Sequence, residues 1–112
     1  MKKYERVKSN ILFNKIIKTG KKVSNSIFTC FYVETNDKIN HYGVSVPKKI
    51  GNAVVRNKLK RQTRNIIDQN NSLFKKKGNY IIINKERALY ESYANKNDSL
   101  IKLIGEINEK EN

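Results

Sequence analysis

Tryptophan is absent from this 112-residue chain, and cysteine, proline, histidine and methionine occur once each. A single cysteine, Cys30, excludes an internal disulfide and a cysteine-rich zinc site. With one proline, Pro47, and no Ser/Gly-rich stretch, nothing marks a linker, and residues 1–112 read as one domain. Long hydrophobic runs are missing too. Tyr80-Ile81-Ile82-Ile83 is as long as they get, far below the roughly 18 apolar residues of a membrane span. The basic start, Met1-Lys2-Lys3-Tyr4-Glu5-Arg6, has no apolar stretch behind it, so it does not read as a secretory signal, and a soluble, cytoplasmic protein is expected. Acids are scarce: 10 against 24 Lys and Arg, for a net charge of +14.

The excess charge is segregated. Residues 1–64 carry 16 Lys/Arg and only Glu5, Glu34 and Asp37 as acids, whereas residues 65–112 are close to balanced. Self-repulsion of this kind destabilises a compact state, and a polyanion is its natural counterpart. Phosphate backbones bind such surfaces by counterion release. Anionic membranes also attract basic segments, but they call for an amphipathic helix with a large apolar face or a lipid anchor. Neither is evident in the sequence, so nucleic acid leads.

Periodicity supplies the elements. Ser9 or Asn10 can cap a first helix that carries Leu12, Phe13, Ile16 and Ile17 on one side and stops at Gly20. Residues 27–34 read as a strand, Thr35-Asn36-Asp37-Lys38 as turn chemistry, and the alternating stretch 41–46 as the second strand of a hairpin, with Pro47 at its end or edge. A second helix is expected over 52–69. A third strand is expected over 80–84, buried on both faces because its apolar run is unbroken. The C-terminal part reads helical, most clearly from Asp98, with Leu100, Ile101, Leu103, Ile104 and Ile107 as its stripe. The predicted class is α+β: a small α-β sandwich, α-β-β-α-β-α, around one central sheet.

The second helix is the informative one. With Val55 at the origin of a wheel turning about 100° per residue, Leu59, Gln62 and Ile66 cluster on one side, flanked by Thr63 and Ile67. Arg56, Asn57, Lys60, Arg61 and Arg64 occupy the opposite side. Cations four apart repel, and exposed helix faces usually mix signs, yet residues 48–65 hold seven cations and no carboxylate. Of these, Lys48 and Lys49, in Lys48-Lys49-Ile50-Gly51-Asn52, stand with a glycine at the helix entrance, where free backbone N–H groups favour phosphate. Gly51 is equally explained as a turn residue. The second glycine followed by Lys-Ser/Thr of a nucleotide-hydrolysing loop is absent.

The stretch Gly43-Val44-Ser45-Val46-Pro47-Lys48-Lys49-Ile50-Gly51-Asn52-Ala53-Val54-Val55-Arg56-Asn57-Lys58-Leu59-Lys60-Arg61-Gln62-Thr63-Arg64 closely resembles the bacterial ribonuclease P protein subunit. Arg56-Asn57-Lys58-Leu59-Lys60-Arg61 reproduces that family's signature helix, with Lys58 in place of a third arginine, which keeps charge and gives up fork geometry. Phe13 to Gly20, the strand at 80–83 and the C-terminal helix also correspond. The resemblance implies the same sandwich, a possible extra short strand and a left-handed β-α-β crossover, against the usual right-handed expectation. It implies a ribonucleoprotein that removes the 5′ leader of precursor tRNA, with the chemistry carried by the RNA subunit and its Mg2+ and no cofactor bound by the protein alone. The partners implied are ribonuclease P RNA and the single-stranded leader, with no membrane and no obligate protein partner.

Carried onto this chain, the catalytic-RNA surface comprises Arg56, Asn57, Lys60, Arg61, Arg64, Lys48 and Lys49, and the leader groove is lined by Phe13, Ile17 and Phe31. Phe31 and Val33 share one strand face, with Phe28 and Tyr32 on the other, where Phe28 reads as core. No protein-borne catalytic or metal set is expected. His41 has no carboxylate beside it in sequence, Glu34 and Asp37 read as solvated turn residues, and Cys30 as a small buried hydrophobe. The alternative is a ribosomal-type structural RNA-binding protein, which explains the charge and size without requiring the 43–64 block.

Overall fold

A computed structural model describes residues 1–2 and 5–110; Lys3 and Tyr4, within the basic N-terminal stretch, lie outside the described residues, as do 111 and 112. Three helices, α1 (Asn10–Thr19), α2 (Ala53–Gln69) and α3 (Tyr93–Glu109), combine with four strands, β1 (Lys21–Ser24), β2 (Phe28–Glu34), β3 (His41–Ser45) and β4 (Gly78–Asn84). Each helix starts on a side-chain cap that satisfies a free backbone N–H. Ser9 accepts from Leu12, Asn52 from Val55 and Ser92 from Asn95, at 3.0–3.1 Å. The order is α-β-β-β-α-β-α. The extra short strand is β1, whose Lys-Lys-Val-Ser offers a single apolar residue and hence no readable alternation.

The sheet order is β1-β2-β4-β3, with β1/β2 and β2/β4 antiparallel and β3/β4 parallel. This corrects the expected hairpin: β2 and β3 are not neighbours, because β4 lies between them. The reason is a long-range anchor. Asn40, at the end of the supposed turn, is buried and faces inward, donating to the Phe74 carbonyl at 3.3 Å and accepting from the Gly78 N–H at 3.0 Å. The 35–40 segment therefore spans one strand's width instead of folding back tightly. The isoleucine-rich β4 takes a central place. β3, followed directly by Pro47, takes the edge. The N-terminal segment lies along that edge, where Arg6 bridges to Tyr42 and the Val7 N–H donates to the Tyr42 carbonyl at 2.9 Å.

Two cores result, one per sheet face. On the larger, Phe28, Cys30, Tyr80 and Ile82 meet Leu59, Ile66 and Ile67 of α2 and Leu100, Leu103 and Ile104 of α3. Tyr32, Tyr42, Phe74 and Tyr80 form an aromatic cluster with ring centroids 4.8–5.7 Å apart, worth about 0.5–1.5 kcal/mol per pair beyond area burial. The Tyr32 and Tyr80 hydroxyls donate to the carbonyls of Lys77 and Lys76, tying down the basic turn before β4. On the other face α1 covers Phe31 and Ile81 with Ile16, ringed by half-buried Phe13, Ile17, Val33 and Ile83. The Phe28/Phe31 division of faces follows from strand alternation. Leu12, expected beside Ile16, instead sits at the margin of α1 and is 36% exposed.

Cys30 is wholly buried, and burial pushes its thiol up to about 12. Since the thiolate is the reactive form, a native-state thiol reagent at pH 8 is expected to leave Cys30 unmodified, with full labelling only in denaturant. Rapid native labelling would show that the face beneath α2 and α3 opens.

Candidate nucleic-acid interface

α2 connects the parallel strands β3 and β4, and a small polar anchor fixes it there. Thr63 and Asn84, both buried, hydrogen-bond at 3.2–3.3 Å, and Asn84 also donates to the Ser45 carbonyl at 3.3 Å. Leu59, Thr63, Ile66 and Ile67 are the buried residues of the helix, as its periodicity indicates. Gln62, drawn toward the buried stripe on the wheel, is half-buried and accepts from the Lys96 ammonium at 2.5 Å. Lys96 is itself buried, donates also to the Ala88 carbonyl, and is held below the usual lysine range by burial first and then by the charge of Lys58. Sequence reasoning does not find it, because a lone lysine in a helix reads as solvated.

With that stripe fixed inward, the basic side faces out. Asn57 and Arg61 are exposed, and Arg56, Lys60 and Arg64 are half-exposed. Asn57, Lys60, Arg61 and Arg64 share an open cavity of about 390 Å³ with Arg6, Asn65, Asp68 and Met1. Among the described residues the ion pairs are the Met1 ammonium with Asp68 and Arg87 with Glu91. Among the described residues, no carboxylate lies within ion-pair distance of the seven cations between Lys48 and Arg64. Burial, and then the charge of Arg6, hold the Arg64 guanidinium below its usual value; an arginine still stays protonated at neutral pH. Arg6 is a cation beside this face that sequence reasoning missed, since 58 positions of chain separate it from Arg64 and the β3-edge pairing brings it there.

Lys48 and Lys49 lie exposed on a short 3-10 turn, anchored by buried Ile50, that leads into α2. Asn52 uses the Val55 N–H, one of the free donors that a phosphate at this helix end would use.

Phe13, Ile17 and Phe31 come together as expected, between α1 and the sheet. They are unequal. Phe31 is 9% exposed and forms the floor, with the Lys22 ammonium 6.0 Å from its ring centroid, while Phe13 and Ile17 are half-exposed at the wall. Gly43 permits this. A Cβ there would stand 2.6 Å from Ile81 Cδ1 and 3.1 Å from the Phe13 ring, so a side chain would displace the end of Ile81 and press on the Phe13 ring. Phe13 and Arg64 line one shared cavity of about 210 Å³ beside β3, so the aromatic wall and the basic helix adjoin.

The ribonuclease P family model matches residues 1–108. The chain belongs to the ribonuclease P protein family. Among curated family members it is 46% identical to the ribonuclease P protein component of Mycoplasma capricolum over 70 residues, covering 62% of this chain and 64% of that one. It is 48% identical to that of Streptococcus agalactiae over 67 residues, covering 60% and 62%. The matched segment thus spans somewhat less than two thirds of these ribonuclease P relatives. Solved ribonuclease P proteins share the fold more completely. The Staphylococcus aureus protein superposes with a TM-score of 0.80 at 31% identity, covering 94% of this chain and 95% of its own. The Thermotoga maritima protein does so at 0.81 and 27%, covering 89% and 94%.

With a net charge of +14 and no described carboxylate paired to the basic face of α2, folding is expected to be linked to anions. A ligand that binds only the folded state stabilises it by about 2.7 kcal/mol at a hundredfold excess over its dissociation constant. Circular dichroism in dilute cacodylate is therefore expected to show helicity and Tm rising on addition of sulfate; identical traces with and without sulfate would contradict this.

Proposed function

We propose that this chain is the protein subunit of a ribonuclease P ribonucleoprotein that assists removal of the 5′ leader from precursor tRNA. α2, through Arg56, Asn57, Lys60, Arg61 and Arg64 with Lys48 and Lys49 at its entrance, contacts the backbone of ribonuclease P RNA. The groove of Phe13, Ile17 and Phe31 receives unpaired leader, because aromatic faces stack any base while neighbouring cations follow its phosphates. The chemistry and its Mg2+ belong to the RNA subunit. The observation that carries the reading is the basic face of α2, held outward by its own buried stripe and without a carboxylate partner among the described residues, adjoining an aromatic wall.

Reconstitution with a bacterial ribonuclease P RNA at low magnesium tests it. Leader removal faster than by RNA alone supports the reading, and no stimulation overturns it. A ribosomal-type protein would instead co-purify with ribosomal RNA.

A further inference from the structure

Lys58 and Lys96 belong to neither the basic face nor the aromatic groove. Both line a cavity of about 300 Å³ bounded by α2, the turn at 86–89 and the start of α3. Lys96 is 5% exposed, and its ammonium carries three N–H donors. Two are used, by the Gln62 carboxamide oxygen at 2.5 Å and the Ala88 carbonyl at 3.3 Å. The third has no acceptor among the described residues, and no described carboxylate lies within ion-pair distance of the ammonium. Gln62, its oxygen taken by Lys96, donates its NH2 to no described residue. Burial and the charge of Lys58 both disfavour the ammonium, and the positive end of α3, in whose first turn it stands, adds to them. A buried charge so placed calls for a counter-ion.

The lining indicates its kind. Lys58 and Lys96 against Glu91 leave one positive charge to be balanced. Hydrogen bonds from Arg87 and then Asn95 hold the Glu91 carboxyl below its usual range, so it stays ionised and repels a second negative charge on a ligand. Val55, Leu59, Leu89 and Tyr93 supply an apolar wall beside the donors. The volume is near the lower end of ligand pockets, roughly 300–1,000 Å³, which suits a single ring. We propose that this cavity binds a small aromatic monocarboxylate, its carboxylate held by Lys96, the Gln62 amide and Lys58, its ring against the apolar wall. The site is independent of the RNA-binding reading above. With the ligand in place, one anion shared by both helices fastens the start of α3 to α2.

The probe is 4-fluorobenzoate, read by fluorine NMR on the full chain, with 4-fluorobenzyl alcohol, acetate and inorganic phosphate beside it. Fluorobenzoate is expected to bind saturably, about tenfold or more tighter than the uncharged alcohol, which forgoes charge-assisted hydrogen bonds. Acetate and phosphate are expected to displace it only weakly, because neither covers the apolar wall. Lys96→Met replaces the buried charge by an apolar side chain of similar length and is expected to fold, with fluorobenzoate affinity lowered about tenfold or more. Gln62→Glu keeps the test decisive even if the Lys96 variant folds poorly. It installs the missing carboxylate beside Lys96 and is expected to raise Tm while abolishing fluorobenzoate binding. Lys58→Ala, at an exposed position, is expected to weaken binding about threefold. Equal binding of the alcohol, displacement by phosphate at concentrations as low as unlabelled benzoate needs, or undiminished binding in a folded Lys96→Met or Gln62→Glu overturns the proposal. So does displacement of the probe by ribonuclease P RNA together with weaker RNA binding by Lys96→Met, which would make the cavity a phosphate contact of that RNA.

Discussion

Converting Arg56, Lys60 and Arg61 together to alanine is expected to lower affinity for ribonuclease P RNA by about two to three orders of magnitude near 0.1 M salt. The slope of log affinity against log salt should fall by about 3, roughly one per phosphate contact. The size of the effect follows from the missing acids. The described ion pairs lie elsewhere, at Met1–Asp68 and Arg87–Glu91, so the three cations carry counterions that bound RNA displaces. Because the triple variant also removes mutual repulsion along α2, it is expected to fold at least as well as the parent in low salt. Filter binding across a salt series measures both quantities. An unchanged slope would remove this helix face from the interface.

The second large effect concerns the groove. Phe13→Ala is expected to reduce discrimination between precursor and mature tRNA by about fivefold to a hundredfold, the loss of roughly 1–3 kcal/mol of base stacking, while ribonuclease P RNA affinity stays nearly constant. Phe31→Ala is expected to lose discrimination as well, but at a further cost in stability. Its ring is 9% exposed and packed with Ile16 and Ile81, where truncation of a buried phenylalanine costs about 3–5 kcal/mol. Thermal melts beside binding to the two tRNA forms separate the contributions. Equal losses of precursor, mature-tRNA and RNA-subunit binding with Phe13→Ala would show that its ring is structural only.

The site was legible in the sequence to the degree that it is local. α2 declares its buried and basic sides through residues three and four apart, and Leu59, Thr63, Ile66 and Ile67 are buried as that spacing requires. Strand alternation likewise separates Phe28 from Phe31. β1 escaped reading because four residues with one apolar side chain carry no period. Leu12 was misplaced because a helical wheel assigns a side but not the width of what lies beneath it. The hairpin failed for a different reason: turn-forming residues at 35–38 cannot reveal that Asn40 is held by Phe74 and Gly78.

Charge segregation, the two-sided nature of α2 and the burial of β4 were settled by the sequence alone, since each depends on side-chain chemistry repeating over a few residues. Tertiary structure decided who stands next to whom. It set β4 between β2 and β3, drew Arg6 to the flank of Arg64, and seated His41 beside Asn79. Periodicity encodes which way a side chain faces; its neighbour across 38 or 58 residues of chain is chosen only when loop closure and two cores are satisfied together.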